Sequence, residues 1–233
     1  MNAIWQFMKR NYKVILLVVA LAAALWSFIP SKKTSDPDPE KEAFLMGVLN
    51  LVLQNAHYHP VELNDDFSEK VFTNYLKIID GNKRYLLQTD IDGLNKYKTE
   101  LDDEFKNQQI RFFNESYPVF TTRLKEAKAY YKDILANPID FSVKESIDTD
   151  YEKQPWAKSK EELRERWRKQ LKLSVLSGIE DKIKLQENDT LNKEPKKSFA
   201  ELEKESRETT LKSLNEFFEF FEEISREEWL SVY

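Results

Sequence analysis

No cysteine occurs in this 233-residue sequence. That excludes disulfides, thiolate metal sites and a lipidated N-terminal Cys, and it is compatible with an oxidising compartment without requiring one. Glycine and proline are scarce, at 4 and 8 residues, which disfavours a turn-rich β protein. The 2 histidines, His57 and His59, are the whole imidazole supply for nucleophilic catalysis. They stand two apart, so a helix would point them in different directions, and Pro60 pushes His59 out of helical geometry. They read as capping and packing a helix end, not as a catalytic or metal pair. Serine and lysine are plentiful, but no pair is marked and no Gly-rich strained turn presents a serine.

An excess of positive charge is also missing. Setting aside Lys9, Arg10 and Lys13 leaves 33 basic against 41 acidic groups, a net charge of −8. Such a surface disfavours nucleic acid, because phosphate binding needs concentrated positive charge. The basic cluster Arg164, Arg166, Arg168, Lys169 and Lys172 around Trp167 is interleaved with Glu161, Glu162 and Glu165, which pair along a helix; it reads as a solvated face.

What is present, beyond 33% charged residues, is long stretches of helical period, which predict an all-α, multi-helix bundle-like domain. An N-terminal export segment precedes it. Lys9, Arg10 and Lys13 stand ahead of Val14 to Ile29, an apolar run of 16 residues broken by Ser27. Cleavage after Ala22 or Ala24 fits the small-residue rule but leaves Leu25, Trp26, Phe28 and Ile29 at the mature start. An uncleaved inner-membrane anchor through residues 14–29 is favoured, although the run is just short of the usual ~17–25 residues. Residues 31–41 form a polar spacer, and the helical domain occupies 42–233.

The first helix, Glu42 to Ala56, is predicted to carry Phe44, Leu45, Val48, Leu49, Val52 and Leu53 on one broad face. The next carries Phe67, Val71, Phe72, Tyr75, Leu76 and Ile79, with Asp65-Asp66 at its start. It stops at Asp80-Gly81-Asn82, where Gly81 supplies a left-handed end. After an extended connection, Lys83 to Gln88, Thr89 N-caps a helix with stripe Ile91, Leu94, Tyr97, Leu101 and Phe105. A long helix follows with Ile110, Phe113, Tyr117, Phe120, Leu124, Ala127, Tyr131 and Ile134, kinked by Pro118 near Asn114 and ended by Asn137-Pro138. Residues 138–157 form a loop anchored by Phe141 and Trp156. Ser159 and Glu162 make a capping box opening a helix with Leu163, Trp167, Leu171, Val175, Ile179 and Ile183 in a row. A polar linker, Gln186 to Lys197, leads to a second capping box, Ser198 and Glu201, with Leu202, Leu211, Leu214, Phe217, Phe221 and Ile224 behind it. Ser225 and Glu228 are a third, with only Trp229 to Tyr233 following, as expected of a boundary inside a larger protein.

Several of these residues also resemble a known family in their order along the chain. His57-Tyr58, the Leu63 to Asp80 helix with Phe67-Ser68 and Tyr75-Leu76, Leu86-Leu87 followed by Asp90-Ile91, and Glu100-Leu101-Asp102 come first. Pro155-Trp156, Glu162-Leu163 and Trp167 come later. Together they resemble the N-terminal helical domain of bacterial tail-specific proteases, the carboxy-terminal processing peptidases, over residues 45–233. In that family the helical domain precedes a PDZ domain and a protease domain with a serine/lysine pair, and this chain stops before either. The resemblance implies a periplasmic, non-catalytic scaffold, with the downstream PDZ and protease domains, peptide substrates and an adaptor protein as partners. A free-standing membrane-anchored helical adaptor is the alternative reading, and a chain that is itself a hydrolase is a third.

Other candidate sites are weaker. Asp65-Asp66 and Asp102-Asp103 do not converge as paired carboxylates, since neighbours on a helix point apart. Asp90, Asp92 and Gly93 match a calcium loop only in part, because the Gly comes too soon and later ligands are missing; neither metal nor cofactor is expected. The sequons at Asn114 and Asn188 matter only in a eukaryotic secretory route. Phe217, Phe218, Phe220 and Phe221 surround a helix, so one side faces outward. They form either a thick local core or a candidate docking face.

Overall fold

The computed structural model describes residues 38–55, 62–188 and 195–233. The anchor candidate 14–29 and both histidines lie outside the described residues. Those described contain eight α-helices and no strand, with a single isolated parallel bridge between Leu87 and Ala157. The helices are α1 (Pro39–Asn55), α2 (Asp65–Asp80), α3 (Gln88–Leu94), α4 (Leu101–Lys106), α5 (Arg111–Ile134), α6 (Lys160–Asn188), α7 (Phe199–Glu223) and α8 (Arg226–Leu230). A 3-10 turn, Asn95–Tyr97, links α3 towards α4. None of these helices is long and apolar enough to cross a membrane.

The long helices α5, α6 and α7 pack on one another, with α6 and α7 sharing the most extensive contact. Leu163, Trp167, Leu171, Val175 and Ile179 of α6 are all buried, as their spacing predicts. Trp167 meets Tyr131 of α5 and Phe218 of α7 at ring-centroid distances of 6.3 Å each. Tyr131 and Phe218 are 5.0 Å apart, and Tyr85 joins from the connection after α2. A second aromatic group centres on Phe112, flanked by Tyr75 of α2 at 5.1 Å, Tyr97 at 5.7 Å and Tyr233 at 5.7 Å. Trp229 of α8 packs on Phe120 and Phe221, and Phe120 in turn meets Tyr85 of the first group.

The helix ends explain several differences from the predicted boundaries. α1 begins earlier than Glu42. Asp38 Oδ1 accepts the Lys41 N–H at 3.1 Å and Pro39 takes the first helical position, so the last residues of the predicted spacer are helical. Asn64 caps α2, accepting from the Phe67 N–H at 3.0 Å. Gly81 is right-handed, at φ −59°. Its value is space: a Cβ there would lie 2.6 Å from the Lys77 carbonyl oxygen. The left-handed residue of this turn is Lys83, at φ 50°. Thr89 lies inside α3, not at its cap; the cap is Leu87, whose N–H donates to Asp90 Oδ2 at 2.8 Å. The Ile91 to Phe105 stripe stays buried although the backbone between Leu94 and Leu101 is not α-helical. Pro118 sits inside an unbroken α5, and its carbonyl accepts the Thr121 and Thr122 hydroxyls at 3.1 and 2.7 Å. Ser198 with Glu201 and Ser225 with Glu228 form complete capping boxes. Ser159 caps α6, but Glu162 reaches back to the Lys158 N–H instead of to Ser159.

Candidate functional site

The first helix departs most from expectation. Its broad apolar face is largely exposed: Phe44, Leu45, Val48 and Leu49 are between 41% and 69% exposed. The residues turned inward are Glu42 and Met46, one turn apart. The Glu42 carboxylate pairs with the Arg226 guanidinium of α8 in a nearly buried ion pair, and Arg226 also reaches Asn114 Oδ1 and lies over the Phe113 ring. A buried charge must be paired, so this contact fixes which side of a largely apolar helix faces the domain. Gly47 permits the approach, since a Cβ there would come within 3.1 Å of the Gln108 side chain. Val52 and Leu53, predicted for the same face, fall where side chains are not described.

Between α1 and the domain runs a groove of about 580 Å³. Leu45, Met46, Val48 and Leu49 form one wall; Phe67, Val71, Leu101, Phe105, Leu230 and Tyr233 form the other. Charge is confined to Asp38, Lys41, Glu42 and Glu227. Such a site can take apolar side chains from a polypeptide.

The four phenylalanines of α7 divide. Phe218 is buried against Tyr85, Tyr131 and Trp167, and Phe221 is half-buried on Trp229. Phe217 and Phe220 are 43% and 61% exposed, so the outward face narrows to these two.

The polar candidates are structural ties. Asp90 receives Arg123 through two hydrogen bonds of 2.8 Å each, and Asp92 accepts from Gln88 Nε2 at 2.8 Å. Among the described residues no three His, Cys, Asp or Glu side chains group as a metal site. Asp102 and Asp103 part: Asp102 is buried, Asp103 exposed. The fully buried Ser68 hydroxyl donates to Asp102 Oδ1 at 2.7 Å and accepts the Asp102 N–H at 2.8 Å, while Lys106 reaches Asp102 Oδ2 at 2.7 Å. This Ser–Asp–Lys chain fastens α2 to α4. Glu104 is buried as well; Oε2 accepts the Phe112 N–H at 3.1 Å, and Oε1 lies 3.2 Å from Arg111 Nε as an ion pair without hydrogen-bond alignment. Burial pushes its carboxyl upward. The basic cluster on α6 is paired only in part by the interleaved acids: Arg166 pairs with Glu162 and Arg168 with Glu165 along the helix, whereas Arg164 pairs with Asp133, and Arg168 and Lys172 with Glu145, from outside it. Glu145 thereby clips the 138–157 loop onto α6.

A family model for the tail specific protease N-terminal domain matches residues 49–233. The chain belongs to that family. A tail-specific protease of Haemophilus influenzae is 30% identical to it over 168 residues, 69% of this chain and 24% of that protein. The chain thus spans about a quarter of the length of that curated relative. The tail-specific protease match covers α2 to α8 and the last part of α1. The Glu42–Arg226 pair therefore joins a segment ahead of the matched region to its last helix.

Proposed function

We propose that this tail-specific protease N-terminal domain is a non-catalytic scaffold that docks polypeptide through the exposed apolar side of α1 and the groove beside it. The parent is a periplasmic serine protease that processes exported proteins near their C-termini, held at the inner membrane through residues 14–29. The first occupant of the face is the protease's own PDZ and protease portion, with substrate and adaptor engaged on the same platform. The observation that carries this reading is the bare α1 face, four large apolar side chains beside an apolar groove. Contiguous apolar surface of this kind usually marks an interface, since each exposed Å² forgoes about 25 cal/mol of burial. Phe217 and Phe220 offer a smaller second contact on α7.

The test mixes the 233-residue chain with the PDZ–protease portion of its parent. Association is expected, weakened about 10-fold or more by Leu45→Ser combined with Leu49→Ser, and the chain alone leaves test peptides intact. Association unchanged by the double variant would contradict the assigned face. Absence of association, with capture of a separate envelope protein instead, would favour a free-standing adaptor. Peptide cleavage by the chain alone would overturn the non-catalytic reading.

A further inference from the structure

Arg84 lies on the connection between α2 and α3, where the backbone is pinned. Asp80 Oδ1 accepts the Arg84 N–H at 2.7 Å, and Oδ2 accepts the Tyr85 and Leu86 N–H groups at 3.0 and 2.7 Å. Trp167 Nε1 donates to the Arg84 carbonyl at 2.8 Å, and the guanidinium lies over the Trp167 ring, 4.1 Å from its centroid. The side chain is therefore held rigidly on a buried indole. Its Nε is shielded from solvent with no hydrogen-bond partner, and no described carboxylate forms an ion pair with it. Asp80, the acid closest in sequence, is occupied by backbone donors. Burial pulls the Arg84 pKa down, against the opposing pull of nearby Tyr85, Tyr151 and Asp80.

This guanidinium lines a pocket of about 320 Å³ between α6 and the 138–157 loop. Trp167, Ile147 and Tyr151 give it apolar wall, and Lys169 adds a second positive charge. The other cations there are engaged: Lys83 donates to the Glu152 carbonyl at 2.8 Å, and Arg166 pairs with Glu162 at 2.5 Å. The acid on the wall, Asp148, accepts the Asp150 N–H at 2.9 Å. A preorganised guanidinium without an acceptor matches a planar carboxylate in two parallel hydrogen bonds. A monoanion fits better than a phosphate here, because three charged oxygens would need more donors than Arg84 and Lys169 supply.

We propose that the Arg84 pocket binds a carboxylate carried on an apolar stem, the chemistry of the terminal residue of a polypeptide. The site is separate from the α1 groove and stands whether or not that groove docks a partner. The test uses the 233-residue chain with ¹⁵N-labelled tryptophan, following the Trp167 indole N–H signal, which is assigned by its loss in Trp167→Phe. The probes are an N-acetylated apolar tripeptide with a free C-terminus, its C-terminal amide, the same amide with one Glu side chain, hexanoate and inorganic phosphate.

The free acid is expected to bind saturably and the plain amide about 10-fold or more weakly; Arg84→Gln loses at least as much, Lys169→Gln about 3-fold. Binding of the Glu-bearing amide or of hexanoate at the level of the free acid also supports the carboxylate site, and assigns recognition to a side chain or to the stem. The plain amide binding as well as the acid, phosphate binding alone, or an unchanged Arg84→Gln would each overturn it. If circular dichroism shows Arg84→Gln unfolded, Ile147→Trp, which fills the pocket from the loop side, must abolish the shift; retained binding would overturn the proposal equally.

Discussion

Helices α6 and α1 both carry apolar residues at helical spacing, yet one buries that row and the other turns it to solvent. On α6 the apolar row is narrow and flanked by charge, so only one orientation avoids burying Arg or Glu. Leu163, Trp167, Leu171, Val175 and Ile179 all lie inside, and Arg164, Arg166 and Arg168 find acids around the rim. On α1, residues 44–49 are apolar on several sides, and periodicity alone does not select a face. Selection falls to the Glu42–Arg226 pair, between residues 184 apart in sequence. A hydrophobic period says that a face exists; a long-range charge partner decides which side of an over-apolar helix becomes that face.

The comparison can be broken most forcefully at α6. Trp167→Ala removes the ring that joins Tyr131, Phe218, Tyr85 and Arg84, and is expected to cost about 3–5 kcal/mol in chemical denaturation. A loss below about 1 kcal/mol would mean that α6 is not the centre of the core.

Next comes the selector itself. Glu42→Ala leaves Arg226 unpaired in a nearly buried setting and should cost about 3 kcal/mol. Its signature is local: hydrogen exchange in α1 and α8 rises while α6 stays protected. Replacing the pair together, Glu42→Met with Arg226→Leu, should recover most of the stability. Equal loss of protection along α1 and α6 would contradict a separable first helix.

A third effect is milder and depends on pH. Burial pushes the Asp80 carboxyl up to about 7, against the pull of its three backbone donors. Because the folded-state value lies above the unfolded one, this group's contribution is complete below about pH 4 and is lost as pH rises through about 7. Carboxyl ¹³C NMR should place the Asp80 midpoint near 7, and Asp80→Asn should flatten stability across that window. The smallest effect is expected on the bare face, where Leu49→Ser should change stability by less than about 0.5 kcal/mol while weakening docking.

Much of the bundle was legible in the sequence because its signals are local. The α6 row, the Ser198–Glu201 and Ser225–Glu228 capping boxes and the interleaved charges of 161–172 all act within about one turn to a few turns. The Asp38-Pro39 start of α1 is equally local, although it lies within the segment predicted as spacer. Sites that depend on tertiary closure were not legible. Nothing around Ser68 announces Asp102, and nothing around Arg84 announces that its guanidinium will lie on Trp167 without an acid. Among the phenylalanines of α7, composition identified the aromatic girdle, but only packing against Tyr131 and Trp167 selects Phe218 for the interior.

The absence of native cysteine allows the outward face of α1 to be tested at a single atom. Leu49→Cys and Val175→Cys, each the sole thiol in its chain, can be timed against a thiol reagent with and without the parent's PDZ–protease portion. Free chain should react quickly at position 49 and only on unfolding at position 175, and the partner should slow position 49 by about 10-fold or more. Slow labelling at 49 in the free chain, or a rate there indifferent to the partner, would contradict the docking face.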